Sequence, residues 1–332
     1  MKKTRIAING FGRIGRYVTK LLLGLEEFEI VAINDLANNE AIAHLLKYDS
    51  IHGRLGKPVN LDGDLLRING QSIKLLQEKT PDKLPWQELK IDIAIECTGR
   101  FTSREGATKH LTAGAGKVII SAPTHDSSIA MVVLGVNDQI LSAENKIVSN
   151  ASCTTNCLAP MVQVLDEAFE IKKGYASTVH SYTNDQNLHD APHRDLRRAR
   201  AAAYSIIPTT TNAGRALDIV LPDQAGKIEA SAMRVPVPDG SLTDLIVEVE
   251  RIVTADQINQ AFEASAKGKL KGYLEVVHDP IVSMDIIGNP HSCIIDASLT
   301  SAKQNLVKVV GWYDNEAGYS NRLVDLARKI SK

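Results

Sequence analysis

Apolar residues in the first 150 positions alternate between short continuous runs and stretches with helical spacing. Continuous runs rich in Val and Ile predict buried parallel strands, and apolar residues three or four positions apart predict helices packed on them. Strands are predicted at 5–9, 29–34, 92–96, 117–121, 132–136 and 146–149. Helices are predicted at 14–22 and 103–111. This order indicates an α/β domain with a parallel sheet.

Residues 59–76 have a different pattern, in which apolar and polar positions alternate. Turn sequences interrupt the alternation at Asp62-Gly63-Asp64 and Asn69-Gly70. Such turns between alternating segments are typical of antiparallel hairpins. A small antiparallel insertion is therefore expected here.

From residue 151 onward, long alternating segments replace the strand and helix rhythm. Strands are predicted at 175–182, 227–235, 242–251, 281–287, 292–299 and 306–313, and helices at 199–206, 255–266 and 318–330. This pattern predicts an α+β domain with a mainly antiparallel sheet. No sheet pattern follows the last helix, which is expected to pack on the first domain. We therefore expect one domain at 1–150, completed by a C-terminal helix at 316–332, and a second at 151–315.

Composition narrows the class of protein. The 332 residues are 44% hydrophobic and 23% charged, which suits two well-buried domains and excludes a disordered chain. A net charge of −1 gives no global reason to expect nucleic-acid or membrane binding. Neither a secretory core nor an apolar run of membrane-spanning length is present, so we expect a cytoplasmic protein. Four scattered cysteines predict no disulfide framework and no metal site.

A glycine motif follows the first strand directly. Gly10-Phe11-Gly12-Arg13-Ile14-Gly15 leads into a helix, and Asp35 ends the next strand about 20 residues later. Such glycines let a pyrophosphate approach the helix N-terminus, and such an acid binds the ribose hydroxyls. We therefore predict a Rossmann-type domain that binds NAD, since a carboxylate at 35 would repel the 2′-phosphate of NADP. The candidate cofactor residues are Gly10, Gly12, Arg13, Ile14, Gly15 and Asp35, with Thr98, Phe101 and Ser121 at neighbouring strand ends.

Cys153 stands where the strand at 146–149 gives way to a predicted helix. Unpaired backbone N–H groups at a helix N-terminus favour the thiolate, which is the reactive form of cysteine. The next predicted strand contains His180, a candidate base for an activated sulfur nucleophile. Taken alone the pair is weak evidence, because free cysteines and lone histidines are usually structural.

Nearly the whole chain resembles the phosphorylating glyceraldehyde-3-phosphate dehydrogenases. The family's motifs occur in order at Ala7–Arg16, Ser149–Cys157, Thr178–Gln186, Asp195–Ala203, Met233–Pro236 and Trp312–Glu316. The resemblance implies a homotetramer in which the loop around residues 182–206 lies between subunits.

The resemblance also implies a mechanism and site residues. Cys153 would attack the aldehyde of a small phosphorylated substrate, and His180 would assist the proton transfers. Hydride transfer to NAD would leave a thioester on Cys153, which inorganic phosphate would cleave. Asn315 would hold the nicotinamide carboxamide. The implied substrate-phosphate site consists of Thr183, Asp185 and Arg234, and the implied incoming-phosphate site consists of Ser152, Thr154, Arg198 and Thr211 with the adjacent Asn212.

Three positions depart from the family pattern. Asn212 replaces a glycine, so the backbone donor for inorganic phosphate is expected to be displaced unless asparagine adopts the glycine conformation. Ala191 replaces a leucine of NAD-preferring members, which leaves room for some NADP. Ala317 replaces a tryptophan near Asn315.

Three other functions remain open at the level of sequence. Erythrose-4-phosphate dehydrogenase uses the same cysteine chemistry with water as the acceptor of the acyl group. The presence of Asn212 slightly favours this alternative. A binding protein that lost the chemistry would not need the cysteine, the histidine and the phosphate-site arginines. A thiol hydrolase built on Cys153 and His180 would leave the dinucleotide motif unexplained.

Overall fold

The computed structural model describes residues 2–331, and these fall into two compact units. The first unit comprises residues up to Val132, Gln139–Ala151 and the segment from Ser320 onward. The second comprises Val133–Asp138 and Ser152–Tyr319. No helix among residues 2–331 combines the length and apolar character needed to cross a bilayer.

The first unit is built on a nine-stranded sheet. Its strands and those of a separate two-stranded ribbon are β1 Thr4–Asn9, β2 Phe28–Asn34, β3 Tyr48–Asp49, β4 Gly53–Arg54, β5 Val59–Asp62, β6 Leu65–Ile68, β7 Gln71–Leu76, β8 Ile93–Glu96, β9 Lys117–Ile120, β10 Ala130–Met131 and β11 Ile147–Ser149. Its helices are α1 Arg13–Leu22, α2 Asn39–Lys47 and α3 Arg104–Thr112. The sheet order is β10-β11-β9-β8-β1-β2-β7-β6-β5, and every pairing from β10 to β7 is parallel. The predicted Rossmann-type parallel sheet is confirmed.

The hairpin segment at 59–76 is antiparallel, as predicted, and it extends the main sheet. Strands β5, β6 and β7 pair antiparallel, and β7 then pairs parallel with β2. Gly63, Asn69 and Gly70 have φ values of 61°, 48° and 81°, which only turn-forming residues adopt readily. The hairpin therefore covers one edge of the sheet.

The predicted strand at 132–136 is wrong. The ladder at this edge consists of β10, and the chain then turns over residues 134–137. Gly135 has φ 84°, and the N–H of Val133 donates to Asn137 Oδ1 over 2.8 Å. These residues are buried, which explains an apolar run without a strand.

The second unit is built on an eight-stranded mixed sheet, mainly antiparallel as predicted. Its strands are β12 Ile171–Ser181, β13 Ile207–Thr209, β14 Ile228–Val235, β15 Ser241–Val249, β16 Leu274–Val277, β17 Cys293–Asp296, β18 Ser301–Lys303 and β19 Leu306–Tyr313. The order is β13-β14-β12-β15-β19-β17-β16, with β18 paired to β19. Only β12 with β14 and β16 with β17 pair in parallel among the described strands of this sheet.

Four further α-helices are present among residues 2–331. They are α4 Cys153–Phe169, α5 Ala213–Val220, α6 Ala255–Lys267 and α7 Ala317–Ile330. Helix α6 begins with a capping box, in which Thr254 and Gln257 satisfy each other's backbone N–H groups. Helix α7 begins in the second unit and ends in the first.

Two predicted elements of the second unit are wrong. Residues 281–287 form turns, because the Asp285 carboxylate accepts the N–H of Val282 over 2.7 Å. Residues 199–206 form a loop instead of a helix. There the N–H of Ala201 donates to the Asp190 side chain and that of Ala202 to a distant carbonyl, so neither makes a helical bond.

Candidate active site

Cys153 is the first residue of α4, and Ser152 caps this helix. The Ser152 hydroxyl accepts the N–H of Thr155 over 3.0 Å, which satisfies one unpaired amide of the first turn. The backbone amides of Cys153 and Thr154 act to lower the pKa of the Cys153 thiol. The cysteine is therefore held at the positive end of a helix whose following turns are buried.

His180 lies opposite this sulfur, near the end of β12. Its Nε2 is 3.5 Å from Cys153 Sγ, and its Nδ1 is 2.7 Å from the carbonyl oxygen of Ser181. Nδ1 is also 3.0 Å from Nη1 of Arg234, which only donates, so the two neighbours of Nδ1 favour opposite ring tautomers. In the tautomer that donates to the Ser181 carbonyl, Nδ1 carries the ring proton. In that tautomer the lone pair of Nε2 faces the cysteine sulfur, where it can accept a proton.

Burial keeps both members of this pair neutral. It raises the pKa of the Cys153 thiol to about 11, although the Arg234 charge and the amides of Cys153 and Thr154 act in the opposite sense. Burial, and secondarily the Arg234 charge, lowers the pKa of His180 to about 3. The expected bias toward a resting thiolate is thus outweighed, and the site pairs a neutral thiol with a neutral base.

Arg234 approaches the same strand end from β14. Its Nη1 donates to the Ser181 carbonyl over 3.0 Å and to Thr183 Oγ1 over 3.1 Å. Its Nε is buried and has no hydrogen-bond partner among residues 2–331. A buried guanidinium N–H without a partner is costly, so this position suits an anionic ligand.

The two predicted phosphate sites are connected through Asp185. This carboxylate accepts hydrogen bonds from Thr183 Oγ1 and from Arg198, which also donates to Thr209 Oγ1 over 2.8 Å. Arg198 therefore has its charge partly balanced within the chain. The side chains of Ser152, Thr154, Arg198 and Thr211, which are predicted for incoming phosphate, make no hydrogen bond to one another in the described part of the chain.

Asn212 adopts an ordinary backbone conformation. Its φ of −93° and ψ of 9° need no glycine, and α5 begins directly after it. The Thr211 hydroxyl accepts the N–H of Ala213 over 3.2 Å, which orders this helix start. The replacement of glycine by asparagine therefore introduces no strain into the loop.

Asn315 is oriented by two hydroxyl groups. Its Oδ1 accepts from Ser181 Oγ over 2.9 Å and from Ser241 Oγ over 2.7 Å, which turns the amide nitrogen away from both. Tyr313, two residues earlier, contacts the His180 ring edge-on at 5.9 Å between centroids, and its hydroxyl is 3.0 Å from Thr154 Oγ1. Sequence reasoning missed Tyr313, although it ends β19 directly before the Asn315 segment.

A cavity of about 320 Å³ opens at the carboxyl ends of the first unit's parallel strands. Five predicted cofactor residues line it: Gly10, Gly12, Asp35, Thr98 and Phe101. Arg13, Ile14 and Gly15 form the first turn of α1 instead. Ser121 lies beside the thiol of Cys97, which lines the cavity, and acts to lower the pKa of that thiol, although burial outweighs it and raises the pKa to about 12.

The glycines of this cavity fit a dinucleotide. Gly10 has φ 94°, and a Cβ there would be 2.7 Å from the backbone of Cys97 and Thr98. A Cβ on Gly12 would meet no atom within 4 Å and would extend into the open cavity. Both oxygens of Asp35 accept backbone N–H groups, from Phe11 over 2.6 Å and from Ala37 over 2.9 Å. The carboxylate is thus fixed at the position where ribose hydroxyls would bind.

Several lining residues were missed from sequence. They are Asn9, Asn34, Leu36, Glu78, Lys79, Cys97 and Arg100. Asn9 and Asn34 are polar residues at the last positions of buried strands, and that was the available signal. Glu78 and Lys79 follow β7, whose place beside β2 depends on sheet order that the pattern did not reveal.

The two remaining departures lie in different surroundings. Ala191 is exposed in the loop at 182–206, where its carbonyl accepts Asn187 Nδ2 over 2.6 Å. Ala317 is fully buried at the first position of α7, and its N–H donates to Asp314 Oδ1 over 2.7 Å. Nothing in the structure explains the loss of a larger side chain at 317.

Comparison with known protein families agrees with this geometry. Residues 4–104 match the family model described as glyceraldehyde 3-phosphate dehydrogenase, NAD binding domain. Residues 152–315 match the model described as glyceraldehyde 3-phosphate dehydrogenase, C-terminal domain. These ranges contain the glycine cavity and the Cys153–His180 pair respectively.

Curated relatives match over nearly the full length. The chain is 55% identical to "Glyceraldehyde-3-phosphate dehydrogenase 2" of Streptomyces avermitilis and 56% identical to "Glyceraldehyde-3-phosphate dehydrogenase" of Streptomyces coelicolor, with 97% of each chain covered in both cases. It is 52% identical to "Glyceraldehyde-3-phosphate dehydrogenase 1" of Bacillus subtilis, over 99% of this chain and 98% of the relative. The chain therefore belongs to the glyceraldehyde-3-phosphate dehydrogenase family.

Proposed function

We propose that this chain is an NAD-dependent, phosphorylating glyceraldehyde-3-phosphate dehydrogenase. It would convert glyceraldehyde-3-phosphate, NAD and inorganic phosphate into 1,3-bisphosphoglycerate and NADH. The observation that carries the proposal is the 3.5 Å contact between Cys153 Sγ and His180 Nε2, with Arg234 bonded to the adjacent carbonyl.

The first step is attack of the cysteine on the aldehyde. As the bond between sulfur and carbon forms, Nε2 of His180 accepts the thiol proton and passes it to the carbonyl oxygen. In this proposal the N–H of Cys153 and the protonated His180 ring donate to the developing oxyanion. Burial raises the pKa of the Cys153 thiol and lowers that of His180, so in this proposal the proton is transferred as the thiol attacks the substrate.

Oxidation of the resulting hemithioacetal requires removal of its hydroxyl proton. Nε2 of His180 accepts that proton, and a thioester remains on Cys153. NAD, when bound, supplies the hydride acceptor, which is C4 of its nicotinamide ring. Gly10, Gly12 and Asp35 would hold the pyrophosphate and ribose, and Asn315 would bind the carboxamide.

Phosphate then releases the product. An oxygen of inorganic phosphate bonds to the thioester carbon, the bond to sulfur breaks, and the departing thiolate regains its proton from His180. We assign the substrate phosphate to Thr183, Asp185 and Arg234. We assign the incoming phosphate to Ser152, Thr154, Arg198, Thr211 and Asn212.

The unpartnered Nε of Arg234 supports the first of these assignments, because a phosphoryl oxygen would satisfy it. The Asp185 carboxylate contributes no attraction for an anion. Its role in this proposal is to orient Thr183 and Arg198 through the hydrogen bonds they donate to it.

The test is the appearance of NADH from glyceraldehyde-3-phosphate with and without inorganic phosphate, repeated with erythrose-4-phosphate. We expect strong turnover of the triose that depends on phosphate. Turnover that is independent of phosphate and favours the tetrose would overturn the assignment. Nothing in the loop geometry favours that alternative, since Asn212 is unstrained.

We also propose a homotetramer. Four large apolar side chains of the loop at 182–206 are exposed in the isolated chain: Leu188, Leu196, Tyr204 and Ile206. Exposed apolar groups concentrated in one segment favour burial against another subunit. Light scattering after size exclusion should give about four times 36.1 kDa, and a monomer mass would contradict the proposal.

Two further assignments complete the proposal. Residues 1–150 with the helix at 316–332 form the NAD-binding domain, and residues 151–315 form the catalytic domain. The division of the chain into two compact units supports this, although its boundaries differ by a few residues. We propose a cytoplasmic location, which cell fractionation would test.

A further inference from the structure

A chain of buried polar side chains runs from Trp86 to the floor of the cofactor cavity. The indole Nε1 of Trp86 is 3.0 Å from His110 Nδ1, and His110 Nε2 is 3.0 Å from Glu96 Oε2. Glu96 Oε2 is 2.5 Å from Asn9 Nδ2, and Asn9 Oδ1 is 2.7 Å from Asn34 Nδ2. The side chains of Glu96 and His110 are completely inaccessible to solvent.

The hydrogen atoms of this chain have only one consistent arrangement. An indole N–H only donates, so His110 Nδ1 accepts from Trp86 and its proton is on Nε2, which donates to Glu96. At the opposite end, the backbone N–H of Glu78 donates to Asn34 Oδ1 over 2.8 Å, so the Asn34 amide nitrogen donates to Asn9. The two ends therefore converge on Glu96.

Glu96 is saturated by these donors. Oε2 accepts from His110 and Asn9, and Oε1 accepts from the N–H of Thr98 over 2.8 Å and from the Thr98 hydroxyl. Asn9, Asn34 and Thr98 line the cavity. Trp86 and His110 do not line it.

Such a buried polar arrangement destabilises the folded state unless every hydrogen-bond partner is present. A buried carboxyl group without its donors costs several kcal/mol, whereas apolar side chains of the same volume would pack without that cost. The apolar residues around Trp86, including Leu84, Ile91 and Ala94, already form a core cluster. Packing alone therefore gives no reason for a histidine and a glutamate at this depth.

We propose that Trp86 and His110 are positioning residues for the cofactor. The Trp86 N–H fixes the His110 tautomer, His110 fixes the Glu96 carboxyl group, and Glu96 fixes the side chains of Asn9 and Thr98 in the cavity floor. The inference concerns the NAD site of the proposed function. It rests on that proposal in one respect, which is that this cavity binds NAD.

The first test is Trp86→Phe, which keeps an aromatic ring and removes only the N–H donor. We expect the Kd for NAD, measured by calorimetry on the full chain, to rise about fivefold, as for the loss of one buried hydrogen bond. The KM for NAD should rise in parallel, while kcat at saturating NAD and the KM for the triose stay within twofold. The matched control is Trp312→Phe, which removes an indole N–H that donates to Asp296 over 3.1 Å in the second unit. Its Kd for NAD should equal that of the parent.

The second test compares two substitutions of His110. Glutamine keeps one donor and one acceptor, whereas leucine keeps neither. We therefore expect H110Q to bind NAD more tightly than H110L when the Kd of each is measured well below its own melting temperature. An unchanged NAD Kd in both W86F and H110L would overturn the inference, and so would equal losses in H110Q and H110L. A parent chain that binds NAD but fails to oxidise the triose would contradict the proposed function and not this inference.

Discussion

His180→Asn tests how the buried thiol is activated. In the parent chain, His180 takes the proton during attack, and its pKa of about 3 keeps it available as a base across the working pH range. The rate of acylation should therefore be nearly constant between about pH 5 and 9. Without this base, only the thiolate formed in advance can react.

The magnitude follows from the pKa of Cys153. With a value of about 11, roughly one thiol in a thousand is ionised at pH 8. We expect acylation in the variant to be about 10³-fold slower at pH 8, which lies within the usual range of 10²–10⁴ for a general base. The rate should then rise about tenfold per pH unit as the pH increases toward 11.

The assay is a single-turnover measurement of NADH appearance by stopped flow, from pH 6 to 10. The matched control is His278→Asn, which changes an exposed histidine that bonds Glu263. The control should keep the parent profile. A loss of less than tenfold in His180→Asn, or a profile as flat as the parent's, would refute the assignment of His180 as the base.

Three further predictions follow from the same geometry. Gly15→Ala should lower the melting temperature by several degrees, because its Cβ would be 2.1 Å from the Gly10 carbonyl oxygen, whereas Gly12→Ala should melt like the parent. Equal melting temperatures in the two variants would contradict this. Arg234→Lys should raise the KM for the triose at least tenfold in steady-state assays, because an ammonium group cannot replace a guanidinium that bonds two acceptors and, in the proposed function, the substrate phosphate; an unchanged KM would remove Arg234 from the phosphate site. Burial, together with neighbouring carboxylates, raises the pKa of Asp239 to about 9, so the folded chain keeps a proton that the unfolded chain loses near pH 4. Stability is therefore lost as pH rises from about 4 to 9, and calorimetry of Asp239→Asn should show a higher melting temperature at pH 8 and a flatter pH dependence. A lower melting temperature at every pH would contradict that reasoning.

The elements predicted correctly are those whose local pattern and tertiary environment agree. The strand before Gly10 and the turn at Asn69 are examples. A strand buried on both faces is a continuous apolar run, and a left-handed turn favours asparagine or glycine, so both can be recognised in the local sequence. Residues 132–136 and 281–287 were misassigned since buried or exposed apolar residues there belong to turns held by the side chains of Asn137 and Asp285. Periodicity carries no information on such contacts.

The candidate site likewise has some features that the sequence predicts and others that it does not. Motif and element order predict that Cys153 and His180 lie close together, and the two side chains are 3.5 Å apart; their catalytic roles stay a prediction. The neutral state of the pair could not be predicted, because it depends on burial by residues distant in sequence. The role of Glu96 was equally inaccessible, since its partners include Asn9, 87 positions away.

Helix α4 has a consequence for how the protein would lose activity. Twelve of its 17 residues are buried, among them Thr154, Thr155 and Asn156 of the first turn. Helix ends usually fray, but here fraying would expose core side chains, so the amides beside Cys153 should exchange with deuterium only when the whole unit opens. Heat inactivation and loss of the second unit's amide protection should consequently share one midpoint.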